Sequence, residues 1–353
     1  MLFVPFVAFL LSSPAKLRYK TENKISMSTR TLKLTRFSAA LVVFLALAGP
    51  VRAQGWLPST LNTGGNDLNT VYFLDSKRGW VGGDGGYLGH TEDGGASWVR
   101  QSVGTKAGIN DIYFRDKEAG FLLAGNSIFV TRDGTKWTQS RIFAPEEFEG
   151  ADVELYSVRF SSKKKGWVVG SISKRERVVD SILVYTDDGG DTWRRQRAPS
   201  RVELIHIDFV SDKRGWIVGD AGTILFTRDA GASWVKQNVG ISGTLYHVDF
   251  RDDNNGWVVG ERGTLLRTTN GGDSWTVIPT NVNVTLLSIQ FLNDDEGWAI
   301  GRSGTILRSS DEGRTWVRQE STTKQNLYSL NFNKKIGWVV GGGGIALRYE
   351  RRD

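Results

Sequence analysis

Carboxylates at a regular spacing are the first residues of this chain that could do chemistry. A box of the form D-x-G-x-[ST]-W, and one shortened version, place an acid or amide at Asp93, Asp133, Asp188, Asp229, Asn270 and Asp311. A glycosidase needs two carboxylates across a sugar ring, or a tyrosine nucleophile supported by a glutamate. A short carboxylate or amide can instead bond to backbone N–H groups two or three residues further on. The regular repetition favours this second, structural role for the box residues.

A glycan-directed function is the alternative, because the same boxes decorate sialidases and some other glycoside hydrolases. In those enzymes the boxes are structural turns that lie away from the catalytic face. The first strand here carries no arginine-bearing motif of the kind that marks a sialidase. Three further acids, Asp84, Asp220 and Glu261, occupy equivalent turn positions in different repeats, which is typical of solvated turn acids.

Other catalytic and ligand signatures are missing from the sequence. The three histidines, His90, His206 and His247, have no H-E-x-x-H or similar metal spacing. No G-x-S-x-G elbow or Walker loop occurs. His206 and His247 sit at matching positions and could face a central channel or pack between sheets; without carboxylate partners, a structural role is favoured. We therefore predict no catalytic residue, no metal and no cofactor.

The boxes belong to a repeat of about 40 residues. Each copy opens with Gly-Trp or Gly-Phe, at 79–80, 120–121, 166–167, 215–216, 256–257, 297–298 and 337–338. Short β-branched and aliphatic runs separated by Gly-bearing turns predict four antiparallel strands per copy. This period is the one expected of a propeller blade. The sequence therefore predicts an all-β, seven-bladed β-propeller.

The N-terminal segment around Trp56 is predicted to complete the last blade. After Trp338 the chain has no box and no fourth strand, whereas Gly55-Trp56-Leu57-Pro58 resembles the segment that follows each box. Closure of this kind removes exposed sheet edges. The propeller is expected to occupy residues 54–353.

Residues 1–53 are predicted to be a leader. We predict that the true start lies near Met27. This residue opens a basic segment, followed by an apolar run from Phe37 to Ala48 and a small-residue cleavage site at 51–53, which together indicate a secretory signal. We expect export to the periplasm or the extracellular space. The chain contains no Cys, which excludes a lipid anchor on this residue.

Without the leader, the charge balance is neutral. Residues 54–353 hold 37 Lys and Arg and 37 Asp and Glu, so the high pI belongs to the precursor. Overall basicity therefore offers no support for nucleic-acid binding.

Blade 3 carries two insertions, at about 138–153 and 171–181. Strand alternation places both on the face opposite the boxes. One interpretation is tolerated loop growth; the other is a partner-binding lip, with Phe143, Pro145 and Phe148 as apolar anchors and Lys174, Arg175 and Arg177 as charged contacts. Pairing of these cations with Glu146, Glu147 and Glu149 within the protein is the competing explanation.

The repeated GWVVGxxGTLLRTxDGGxSW unit resembles the photosystem II stability/assembly factor family over residues 56–350. The resemblance implies a non-catalytic propeller in the thylakoid lumen or an equivalent compartment, which holds a newly made reaction-centre subunit. It also implies an arginine-rich patch on one face. The dense basic stretches here are Arg194, Arg195 and Arg197 with Arg201, and Lys174 to Arg177.

The expected partner is therefore a protein. In a phototroph it would be a photosystem II reaction-centre subunit, and otherwise an envelope protein. Membrane association would come through that client, and we expect the propeller itself to be a monomer.

Overall fold

Seven four-stranded antiparallel sheets form the protein, which confirms the predicted seven-bladed propeller. The computed structural model describes residues 55–140, 147–148, 150–334 and 336–350. The predicted leader lies outside these residues. We name the strands of each blade A to D in the order in which they lie across the sheet.

The strand bounds follow the repeat. Blades 1 and 2 consist of Leu68–Phe73, Gly79–Gly83, Tyr87–Thr91 and Val99–Gln101, then Ile109–Asp116, Ala119–Ala124, Ser127–Thr131 and Thr138–Ser140. Blades 3 and 4 consist of Asp152–Phe160, Gly166–Lys174, Arg177–Thr186 and Arg194–Arg195, then Leu204–Phe209, Gly215–Gly219, Thr223–Thr227 and Val235–Gln237. Blades 5 and 6 consist of Leu245–Phe250, Gly256–Gly260, Leu265–Thr268 and Thr276–Val277, then Leu286–Phe291, Gly297–Gly301, Thr305–Ser309 and Val317–Gln319. Blade 7 consists of Leu327–Asn333, Ile336–Gly341, Ala346–Glu350 and Leu57–Ser59.

Helical structure in the described residues is limited to three single turns, Asp84–Gly86, Glu261–Gly263 and Gly342–Gly344. Within the same residues, no helix has the length and apolar character needed to cross a membrane.

The N-terminal strand closes the ring as the sequence predicts. Leu57 pairs with Arg348 and Ser59 with Ala346, both antiparallel. Trp56 just before this strand is 3% exposed. Its ring lies 5.5 Å from that of Trp298 and 5.3 Å from that of Tyr349, so the first and last segments share one aromatic cluster.

The opening aromatic of every blade except blade 6 packs on the box of the following blade. Trp80 of blade 1 donates from Nε1 to the carbonyl of Gly134 in the blade 2 box at 3.0 Å. Trp338 of blade 7 lies against Gly95 of the blade 1 box, where a Cβ would overlap the indole. Gly95 also has φ +85°, which disfavours any side chain there. The glycines of the box are therefore needed for the contact between blades.

Blade 7 has no box, and a different arrangement serves Trp298 of blade 6. Its Nε1 donates to the buried Glu296 carboxylate at 3.2 Å, and the guanidinium of Arg308 lies 2.9 Å from the same carboxylate. Trp56 covers the Trp298 ring edge-on. The junction that lacks a box is thus held by an ion pair and by the N-terminal tryptophan.

Candidate functional site at the blade 3 rim and the central channel

The insertion at 171–181 is a long β-hairpin. Strands B and C of blade 3 have nine and ten residues, whereas strand B has five in blades 1, 4, 5 and 6. Four extra residues extend a strand by about 13 Å. The hairpin therefore projects beyond the turns of the neighbouring blades, at the end opposite the boxes.

The turn at the hairpin tip has an unfavourable backbone conformation. Lys174 pairs with Arg177, and the two residues between them, Arg175 and Glu176, have φ of 51° and 62°. A two-residue turn of this kind normally uses Asn-Gly, because positive φ costs an ordinary residue roughly 1–2 kcal/mol. Such strain in a projecting turn is compatible with a role in recognition.

The hairpin tip carries exposed cations beside exposed valines. Lys174, Arg175 and Arg177 are exposed and form no ion pair with any residue that the structure describes. Val178 and Val179 are 40% and 43% exposed. Charged groups next to exposed aliphatic side chains are what a protein-binding rim requires.

Arg195 on strand D connects the two insertions. Its guanidinium lies 3.1 Å from Asp180 of the hairpin and 3.9 Å from Glu147 of the other insertion. The same group lies 5.2 Å from the centre of the Phe148 ring. Glu147 is thus directed to Arg195 rather than to the hairpin tip. Phe143, Pro145, Glu146 and Glu149 lie outside the described residues, so their predicted roles stay predictions.

The remaining arginines of the predicted patch separate into two groups. Arg194 pairs with Asp187 at 3.1 Å, beside the blade 3 box and away from the hairpin tip. Arg197 and Arg201 line a cavity of about 650 Å³ together with Arg195 and Ser181. The structure therefore places Arg195, Arg197 and Arg201 near the hairpin and assigns Arg194 to the opposite side.

The box residues act as turn acceptors in the structure. Asp93 accepts from the Ser97 backbone N–H at 2.8 Å and from the Ser97 hydroxyl at 2.6 Å. These bonds, with a further one from Thr91, lower the pKa of Asp93 to about 2. Asn270 accepts the equivalent bond from Ser274 N–H at 3.0 Å. An amide thus fills the same place, and the charge is not required for this geometry.

Side chains of the innermost strands line a central channel of about 390 Å³. Near the box end, the ring of equivalent positions in blades 1 to 7 is Tyr72, Tyr113, Arg159, Asp208, Asp249, Gln290 and Asn331. Four members each accept a backbone N–H from strand A of the next blade, and these bonds are Asp208 to Phe250 at 2.9 Å, Asp249 to Phe291 at 2.8 Å, Gln290 to Phe332 at 2.7 Å and Asn331 to Phe73 at 3.0 Å. We call these bonds the channel latches.

A charged cluster fills one side of the channel. Arg159 lies 2.6 Å from Asp111 and 3.1 Å from Nε2 of His206. A guanidinium can only donate, so Nε2 of His206 must accept and the ring is neutral with its proton on Nδ1. The 3.5 Å contact from the Val248 N–H to that Nδ1 is then no hydrogen bond. Burial, the adjacent His247 and Arg159 hold the pKa of His206 well below its usual value.

His206 and His247 face the channel and stack with ring centroids 3.7 Å apart. Asp208 and Asp249 lie two residues further along the same strands, but no hydrogen bond joins either histidine to a carboxylate among the described residues, so the predicted structural role stays a prediction. The sequence signal for this shared position is the repeated H-x-D on two successive first strands, which was not used in the prediction. Alternation in a strand carries residues i and i+2 to one face, here the channel.

The channel mouth opposite the boxes contains a tyrosine–carboxylate contact relevant to the glycan alternative. The Tyr156 hydroxyl donates to Glu203 at 2.6 Å. Burial, and then the Glu203 bond, raise the pKa of Tyr156, which works against a phenolate nucleophile. Burial also raises the pKa of the neighbouring Glu154.

Two of the predicted turn acids accept hydrogen bonds at the positions expected of them. Asp84 accepts from Asn69 at 3.0 Å, and Asp220 accepts from the Thr244 hydroxyl at 2.8 Å.

Comparison with known proteins gives both a fold and a family. The family model of the photosynthesis system II assembly factor YCF48 matches residues 100–203, 195–284 and 276–350. The photosystem II assembly lipoprotein Ycf48 of Synechococcus sp. (strain CC9902) is 27% identical over 100 residues, or 28% of this chain. The chain spans about a quarter of the length of this curated relative, 26%.

Solved propellers match over most of the chain. A structure of YCF48 bound to D1 peptide has a TM-score of 0.68 at 20% identity and covers 87% of this chain and all of its own. YCF48 from Cyanidioschyzon merolae gives 0.67 at 18% identity, with 84% and 98% of the two chains covered. Virginiamycin B lyase from Staphylococcus aureus gives 0.70 at 14% identity, with 85% and 100% covered, so fold similarity alone does not indicate activity.

The family model, by contrast, follows the repeat through most of the propeller, from residue 100 to residue 350. The family resemblance predicted from the blade motif is thereby confirmed. This chain belongs to the photosynthesis system II assembly factor YCF48 family.

Proposed function

We propose that this protein is a non-catalytic assembly propeller that holds a photosystem II reaction-centre protein during assembly. Family membership supports the general role. A structurally similar YCF48 has been seen with a D1 peptide, which supports a client of that kind. The exported location, a monomeric propeller and membrane association through the client are parts of the same proposal.

The observation that carries the proposal is the blade 3 hairpin. It presents Lys174, Arg175 and Arg177 without ion-pair partners in the described chain, next to the exposed Val178 and Val179. Arg195 ties the hairpin to the second insertion, so that the surface is held in place before a client arrives. Preorganisation of this kind lowers the entropic cost of binding.

Reversal of the hairpin charge should abolish client capture. Arg175→Glu with Arg177→Glu places two acids where the client meets cations, and like charges across an interface cost several kcal/mol. We expect loss of co-purification of D1 or another reaction-centre protein from cells, with nearly unchanged melting temperature. The matched control is Lys236→Glu with Arg318→Glu, which changes net charge equally at exposed outer-strand sites.

Capture that survives both the hairpin charge reversal and trimming of the two insertions to the blade 4 length would place the client site elsewhere. Loss of capture in the control as well would indicate a general charge effect. The mouth of the channel opposite the boxes would then be the next surface to change.

A glycan ligand is the second candidate, and the contact between Tyr156 and Glu203 is the observation in its favour. The raised pKa of Tyr156 argues for binding over hydrolysis. Signal on a glycan array that disappears in Tyr156→Phe would favour this candidate, and silence on the array would remove it.

A further inference from the structure

The channel latches can be made without charge. Gln290 and Asn331 accept the N–H groups of Phe332 and Phe73 through neutral amide oxygens. Asp208 and Asp249 accept the equivalent N–H groups of blades 5 and 6 at nearly the same distances. Closure of the ring therefore explains a hydrogen-bond acceptor at each position, but it does not explain a carboxylate.

The channel holds more negative than positive charge. Its charged lining residues are Asp111, Arg159, Asp208 and Asp249. Arg159 is bound to Asp111 at 2.6 Å, and both histidines have lowered pKa values. The charge of Arg251 also lowers the pKa of Asp249, but the Arg251 guanidinium forms its ion pair with Asp294 at 3.0 Å. The charge of Arg159 also lowers the pKa of Asp208 and of Asp249, but its direct ion pair is with Asp111. Three channel carboxylates thus share one guanidinium, which is costly in an enclosed site.

The carboxylates of Asp208 and Asp249 respond to each other. Burial, followed by the charge of Asp208, raises the pKa of Asp249 to about 8. Burial also raises the pKa of Asp208. Near neutral pH the pair therefore retains a proton, which a cation placed between the two groups would replace.

The space around the pair suits a small organic cation. The channel volume is about 390 Å³, far more than a bare ion needs. No group of three or more His, Asp or Glu that could hold a metal ion occurs among the described residues. His247 lines the same space, and its buried Nδ1 has no partner in the described chain. Tyr156, Tyr246 and Tyr328 line the opposite end of the same channel, so an amine bound at the carboxylates would extend its aliphatic chain toward them.

We propose that the central channel binds a protonated alkylamine, with its ammonium group against Asp208 and Asp249. The proton that the pair retains passes to solvent as the ammonium ion enters, so that charge in the channel stays balanced. Such an amine could be a free small molecule or the lysine side chain of a protein partner. Both present the same –NH₃⁺ on a methylene chain.

The test is calorimetric titration of the full propeller with three probes: propylammonium, 1,5-diaminopentane and a lysine derivative. The lysine is blocked at its α-amino and α-carboxyl groups and keeps its free ε-ammonium group. The neutral isostere N-propylacetamide serves as the probe control. We expect millimolar or tighter binding of at least one amine, with proton release that depends on the buffer. Asp249→Asn should weaken that binding by about ten-fold or more, because it retains the latch and removes the charge.

The matched control variant is Asp311→Asn, the same substitution in a box, where Asn270 shows that an amide is accommodated. Binding of this variant should equal that of the wild type. A free-amine ligand predicts that diaminopentane or propylammonium binds better than blocked lysine, whereas a lysine side chain predicts the reverse. Equal affinity of Asp249→Asn, equal binding of the neutral isostere, or no binding of any amine would overturn the proposal.

Discussion

Asp249 has opposite effects on stability through its hydrogen bond and its charge. The carboxylate supports blade closure by accepting from Phe291. Its raised pKa means that the folded state keeps a proton that the unfolded chain releases between about pH 4 and 8. The free energy of unfolding must therefore fall as pH rises through that window.

The histidines oppose this trend at lower pH. Burial lowers the pKa of His247 to about 3, so the unfolded chain binds a proton below about pH 6.5 that the folded chain refuses. This contribution makes stability rise with pH up to about 6.5. The effect of Asp249 should consequently be visible as a decline between about pH 6.5 and 8.

Asp249→Asn should flatten that decline. An amide at this position still accepts the backbone N–H, as Asn331 does in blade 7, and it cannot ionise. We expect thermal melts to show an increase in melting temperature of roughly 2–4 °C or more at pH 9, with little difference at pH 5. An equal shift at both pH values would mean that ionisation of this group is not the cause.

At the scale of elements, the hairpin and the second insertion depend on each other through Arg195. Arg195→Ala removes the contacts with Asp180, Glu147 and Phe148 while leaving every blade strand in place. We expect faster amide hydrogen exchange across 171–181 and a stability loss of at most about 1 kcal/mol, since the pairs are partly exposed.

Arg194→Ala is the natural control for that measurement. This variant breaks the ion pair between Arg194 and Asp187, which lies on the side of strand D opposite to the Arg195 contacts. Hydrogen exchange in the hairpin should then stay as in the wild type. Unchanged exchange in Arg195→Ala would show that the hairpin holds its position through its own backbone bonds.

For the molecule as a whole, ring closure by the N-terminal strand should control cooperativity. Deletion of residues 54–61 removes the outer strand of blade 7 and Trp56, and it exposes the edge of Ala346–Glu350. Aggregation or loss of a single cooperative melting transition is expected.

The point variant Trp56→Ala should lower the free energy of unfolding by roughly 3–5 kcal/mol, as for other buried tryptophans.

Leu57→Ser is the control for closure, because Leu57 belongs to the same strand but is 43% exposed. Its melting temperature should lie close to that of the wild type. A wild-type melting temperature after deletion of 54–61 would contradict the closure model.

The blade number and the closing strand followed from the sequence because both depend on local patterns. The Gly-Trp openings, the boxes and the missing box after Trp338 repeat at a period that the chain itself displays. The family was recognisable from the same unit. The lengths of the two insertions likewise located the hairpin, since an antiparallel blade leaves extra residues only at its turns.

The arrangement of charges was decided by tertiary structure. Arg194 and Arg195 are adjacent in sequence, yet alternation directs one to Asp187 and the other to Asp180 and Glu147. The channel cluster joins Asp111, Arg159, His206 and Asp249 from four separate blades. The shifted pKa values of His206 and Asp249 depend on distances and burial that exist only when the ring is closed, because each group obtains neighbours from another blade.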